Sequence, residues 1–124
     1  MIVRGTTPYH SFIIPLEPEK ISALYVTYLQ NNEVVLDKSI TDVTIESVEE
    51  KLENASMEEP EEFVISSQIT LHLTQEDTLA FHFYPAAEKN IAVIQIRLLT
   101  SEGEAYASDP VQERIFGVLK DGVI

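Results

Sequence analysis

Between Phe63 and Leu73 the chain reads FVISSQITLHL, with Ile65, Ser67, Ile69, Leu71 and Leu73 falling on one side of an extended backbone and Ser66, Gln68, Thr70 and His72 on the other. A period of two marks a β-strand resting one face on a core, because successive side chains of a pleated strand point to opposite faces. The pattern recurs along the chain. ISALYVTYLQ (21–30) sets Ala23, Tyr25, Thr27 and Leu29 against Leu24, Val26 and Tyr28, and DVTIES sets Val43 and Ile45 against Thr44 and Glu46. NIAVIQIRLLT sets Ile94, Ile96 and Leu98 against Gln95 and Arg97, and LAFHFYP predicts a further strand with Leu79, Phe81 and Phe83 inward.

The punctuation between these runs is that of an antiparallel fold. PYHSFII lies between Pro8 and Pro15, which predicts a short strand at a sheet edge, where the missing proline N–H is tolerated. Asn31 and Asn32 both tolerate positive φ and predict a two-residue type I′ hairpin turn that sets Leu29 opposite Val34 and Tyr28 opposite Val35. Gly103 supplies another turn, Pro110 ends one strand and begins the next, and a last strand runs through VQERIFGVL. With at most one helix, a parallel α/β architecture is excluded. The expectation is an all-β fold, an antiparallel immunoglobulin-like β-sandwich of seven to nine strands. At 124 residues it forms a single domain, 1–124, with one core.

One segment breaks the pattern. Residues 46–62, ESVEEKLENASMEEPEE, hold eight glutamates against Lys51 alone. Val48, Leu52 and Ala55 recur at helical spacing, which predicts a short amphipathic helix up to about Asn54, followed by a mobile acidic loop through Pro60. Calcium loops need closely spaced Asp and Asn with a glycine at the turn, and this insertion has neither.

Over the whole chain 21 acidic residues face 8 Lys and Arg, a formal charge of −13. Such a surface repels nucleic acid and anionic membranes and suits a basic partner. The absence of cysteine excludes disulfides, thiolate metal sites and thiol redox chemistry. MIVRGTTPYHSF lacks the apolar core and small-residue cleavage site of a signal peptide, and no apolar run reaches the 18 residues of a membrane helix.

The stretch richest in chemistry is LHLTQEDTLAFHF (71–83), with His72, Glu76, Asp77 and His82 among apolar anchors. Thr74 followed three residues later by Asp77 predicts a capping box, in which the hydroxyl accepts from the third N–H and the acid accepts from the cap N–H. The segment then reads as a corner where a strand of one sheet crosses to the other, anchored by Leu73, Leu79 and Phe81. Both histidines take the outward register, and with His10 distant in sequence no third metal ligand is evident. No nucleophile elbow, glycine-rich phosphate loop or zincin motif is present. The prediction is therefore no enzyme, with no catalytic, cofactor-binding or metal residues and no cofactor.

Three blocks, RGTTPYHSF, LTQEDTLAF and IQIRLLTSEGEAYASDP, together resemble small proteins encoded among the structural and tail genes of tailed phages and prophages of Gram-positive bacteria. Those proteins are similar in general plan to the N-terminal β-sandwich module of baseplate upper proteins. The likeness covers most of the chain and departs from it at 46–62. It implies a non-enzymatic structural or adaptor module that assembles with other virion or tail proteins, with no nucleic-acid or membrane partner. A homo-oligomer is compatible with it, and the location it implies is the virion, or the host cytoplasm during assembly. In the first block Gly5 is expected to permit a turn or a close backbone approach, and Arg4 to pair with a surface acid. The alternative is a carbohydrate- or cell-surface-binding module, for which Tyr9, Tyr25, Tyr28, Tyr84 and Tyr106 are the candidate aromatic residues.

Overall fold

Strand β1 (Ile2–Val3) opens the chain and β2 (Tyr9–Ile14) follows it, in a computed structural model that describes residues 1–51, 63–118 and 120–124. Next come the hairpin of β3 (Ile21–Gln30) and β4 (Glu33–Ser39), then β5 (Val43–Lys51), β6 (Phe63–His72) and the single-turn helix α1 (Gln75–Leu79). The chain continues through β7 (Ile91–Thr100), β8 (Ala105–Ala107) and β9 (Val111–Phe116). Two sheets result. One runs β1-β9-β7-β3-β4 with β8 also on β7, and the other runs β2-β6-β5. The fold is the expected all-β sandwich, modified at one place, where β1 pairs with β9 in parallel through Ile2–Ile115 and Val3–Phe116.

Each inner face is made of residues that the alternation grouped on one side of a strand. Leu24, Val26 and Tyr28 of β3, Ala92, Ile94 and Ile96 of β7, and Ile69 and Leu71 of β6 are buried in one cluster with Ile2, Leu73, Phe81 and Ile115. Phe12, Ile14, Val43 and Ile45 pack against it from the smaller sheet. Tyr28 is fully buried, with its ring edge-on to Phe81 at 5.9 Å between centroids, a geometry that adds to the area both bury. At the β3–β4 turn Asn31 (φ 53°) and Asn32 (φ 64°) both take the left-handed conformation, as a type I′ turn requires. Leu29 pairs with Val34 as predicted. Tyr28, however, pairs with Leu36 rather than Val35, because an irregularity between Tyr28 and Leu29 admits an extra residue on β4.

Two further sequence expectations are corrected. Residues 46–51 are not the start of a helix; they are the second half of β5, whose ladder to β6 continues through Glu46–Gln68, Val48–Ser66 and Glu49–Ile65 to Lys51–Phe63. A strand already paired along Val43 to Ile45 adds one rung at a time opposite β-branched Ile65 and Val64, and this outweighs the weak helical preference of isolated glutamates. The remainder of the predicted helix and loop, residues 52–62, lies outside the described residues. The second correction is LAFHFYP, which forms no strand: Leu79 ends α1 and residues 82–84 run irregularly. Here the side-chain amide of Asn90 captures the backbone of Tyr84, accepting from its N–H at 2.8 Å and donating to its carbonyl at 3.1 Å. Phe81 is nonetheless buried and Phe83 partly so, so the inward parity survives without the strand.

Candidate functional site

The stretch from Leu71 to Phe83 leaves β6 in the smaller sheet and delivers the chain toward β7 in the larger. The capping box closes as predicted. The Asp77 N–H donates to Thr74 Oγ1 at 3.1 Å, and the Thr74 N–H donates to Asp77 Oδ2 at 2.9 Å. Lys38 Nζ from β4 reaches the other carboxylate oxygen at 3.0 Å. Burial alone would raise the Asp77 pKa, but the Thr74 N–H and the Lys38 ammonium outweigh it and hold the carboxyl below its ordinary range.

One residue further on, Thr78 is fully buried and ties the corner to the chain's first turn. Its hydroxyl donates to the Thr6 carbonyl at 2.8 Å and accepts the Gly5 N–H at 2.9 Å. Gly5 has φ +81°, and a Cβ there would lie 3.1 Å from the Gly122 carbonyl, so the expected close backbone approach is present. Arg4 forms an ion pair with Asp121, as anticipated for a surface acid, and its other guanidinium nitrogen donates to the Leu79 carbonyl at 3.1 Å. Gln30 at the end of β3 completes the joint, donating to the His82 carbonyl at 2.6 Å and accepting the His82 N–H at 2.8 Å. The Thr74, Asp77 and Thr78 side chains and the His82 backbone are thus engaged in holding the crossover.

The histidines do not converge. His72 is exposed on β6 and stacks on its cross-strand partner Tyr9, with ring centroids 4.0 Å apart and planes within 11°. It shares a shallow recess with Glu76, whereas His82 is exposed in the loop after α1, 6.0 Å from the Tyr84 ring. Among the described residues no group of three or more His, Cys, Asp or Glu side chains is placed to hold a metal ion. His10 was missed by sequence reasoning. It points inward, its Nδ1 2.7 Å from the buried Tyr28 hydroxyl, and burial pushes its pKa below 6.5 despite the opposing pull of Glu113. The signal was available: His10 shares parity with Phe12 and Ile14, the core-facing residues of β2.

The concave feature of interest lies elsewhere, at the margin between the sheets. Ile13, Ile14, Pro15 and Leu16 at the end of β2 face Ile96, Leu98 and Tyr106 across an apolar cleft of about 400 Å³. Tyr106 reaches it because β8 pairs with β7 in the register Leu98–Tyr106, which places its ring on the core side of the sheet. The Tyr106 hydroxyl is hydrogen-bonded to Glu104, and that carboxylate raises its pKa. The other tyrosines are dispersed. Tyr28 is buried, Tyr25 lies on the outer face beneath Arg97, Tyr9 belongs to the other sheet and Tyr84 to a loop.

No protein-family model, curated protein or solved structure matches the chain. No helix among the described residues is long and apolar enough to cross a membrane.

Proposed function

We propose that this protein is a non-enzymatic structural or adaptor module of a tailed-phage or prophage particle, bound to other virion chains through its strand edges. The observation that carries the assembly reading is the apolar cleft flanked by two strands, β2 and β8, each paired on one side only among the described residues. An unpaired edge presents backbone donors and acceptors to another chain, and an apolar recess beside it supplies contact area. The phage context is supported by the three resembling sequence blocks. Genes for tail, baseplate or portal proteins are expected beside the coding sequence; a neighbourhood of metabolic genes would overturn the reading.

The carbohydrate- or cell-surface-binding alternative draws on the exposure of Tyr9, Tyr25, Tyr84 and Tyr106. Their dispersal over two sheets and a loop favours assembly, because a sugar platform needs adjacent rings on one face. Binding on a glycan array that is lost on Tyr25→Ala and Tyr106→Ala substitution would reverse this preference.

A further inference from the structure

Strands β3 and β7 form the centre of the larger sheet, and their outward residues are mostly apolar. The register pairs Ala23 with Leu99, Tyr25 with Arg97, Thr27 with Gln95 and Leu29 with Val93, all of the parity opposite to the buried Leu24, Val26, Ile94 and Ile96. Each keeps an exposed or half-buried side chain, with Tyr25 at 44% and Leu99 at 41% exposure. A strand with one face on a core ordinarily turns polar residues to solvent, as β6 does with Gln68, Thr70 and His72. β3 and β7 do not.

Charge also sets this face apart. The chain holds 21 acidic residues against 8 Lys and Arg. On this parity of the larger sheet, however, the ladder registers place one acid, Asp37 opposite Thr27, and two cations, Arg97 and Arg114. Arg97 lies over the Tyr25 ring and Arg114 over the Phe116 ring, each 5.8 Å from the centroid. The acids that repel one copy from another at a distance are therefore not the groups that would meet if this face were covered.

The face is complementary to itself. A two-fold axis parallel to β3 and β7, midway between them, lays the partner's β7 over β3 and the partner's β3 over β7. Ala23 then meets Leu99, Leu29 meets Val93 and Thr27 meets Gln95, while each Arg97 lies over the partner's Tyr25 with the partner's Asp37 one strand further out. Aligned sheets stack about 10 Å apart at about 30°, which keeps these central rows in contact. Four strands about 4.8 Å apart and nine residues at about 3.4 Å each give a flat area of about 600 Å² per copy, against about 800 Å² in a standard interface.

We infer that this chain forms a symmetric dimer by packing the outer face of its larger sheet against the same face of a second copy. This surface is separate from the cleft and strand edges on which the assembly reading rests.

The test is sedimentation velocity of the full chain across the micromolar range. A reversible monomer–dimer equilibrium is expected, and it should tighten as salt rises from about 50 to 500 mM, because screening relieves the repulsion between two acidic chains while the apolar contact persists. Tyr25→Glu and Leu99→Glu, both at exposed positions, should each weaken dimerisation by at least about tenfold while thermal unfolding stays cooperative. Should one of them fail to fold, the other carries the test. Ile13→Glu, in the cleft, should leave the equilibrium unchanged. A chain that stays monomeric throughout, a dimer broken by Ile13→Glu but not by a folded Tyr25→Glu or Leu99→Glu variant, or a dimer that weakens as salt rises would each overturn the inference. The last would mean that this face meets an acidic surface rather than itself. Those outcomes would leave the assembly reading to be decided by particle composition, which does not depend on this face.

Discussion

Replacing Thr78 by Val keeps the side-chain shape and deletes one hydroxyl, so it isolates the polar contribution of the joint between α1 and the first turn. The Gly5 N–H and the Thr6 carbonyl lose their hydrogen bond at once, and the Gln75 carbonyl loses its 3.1 Å bond from the same hydroxyl, beside a residue with no exposed surface. Leaving a buried backbone group unsatisfied costs about 1–3 kcal/mol, and both sites are only partly buried, so a total loss of about 2–4 kcal/mol is expected. With a urea slope of about 1–3 kcal/mol per molar, the unfolding midpoint should fall by about 1–2 M at unchanged slope. Thr78→Ser is the control, because it retains the hydroxyl and loses a methyl worth about 1 kcal/mol. Urea unfolding of the three proteins decides the matter. A Thr78→Val protein within about 0.5 kcal/mol of wild type, or a Thr78→Ser protein equally damaged, would refute the view that the hydroxyl locks the corner.

Two further perturbations address the acidic segment and the buried histidine. Deleting residues 49–62 would remove the β5 rungs Glu49–Ile65, Glu50–Val64 and Lys51–Phe63, whereas replacing only 52–62 by an Asn-Gly turn keeps them. Closure entropy changes slowly with loop length, so the shorter replacement should alter stability by less than about 2 kcal/mol in a thermal melt, and the longer deletion should cost more. For His10, the folded pKa lies below 6.5, so the unfolded chain takes up the proton first as pH falls. The stability that neutral His10 contributes is complete above about pH 6.5 and is lost as pH falls from there toward the folded value. Urea midpoints for wild type and His10→Phe should therefore converge as the medium is acidified through this window, and parallel profiles would contradict the assignment.

Where a single strand meets a single core, the sequence was legible. Ile69 and Leu71, or Ile94 and Ile96, announce their face by parity alone, since one slip of register would invert it, whereas β3 is apolar on both faces and its inward side is set by the partner sheet. The Thr74–Asp77 capping box was equally plain, because its two hydrogen bonds lie within four residues of chain. What was not legible was pairing over distance. The Glu46–Lys51 run looked helical because Val48 begins an apolar spacing continued by Leu52 and Ala55, and only its partner strand 63–68 makes it extended. The parallel β1–β9 pair joins residues more than a hundred positions apart and leaves no local trace. The cleft is hidden for the same reason. Ile13 to Leu16 and Tyr106 carry no motif, and their relation exists only once the two sheets have closed and left β8 at the margin.

The claim of assembly into a particle is tested most directly by quantitative mass spectrometry of particles and tail structures purified by sedimentation from an induced host that carries the gene. The account predicts that the protein co-sediments with these assemblies at a fixed copy number relative to the tail proteins. Recovery of the chain solely as free protein, with none in the particles or tail assemblies, would contradict it.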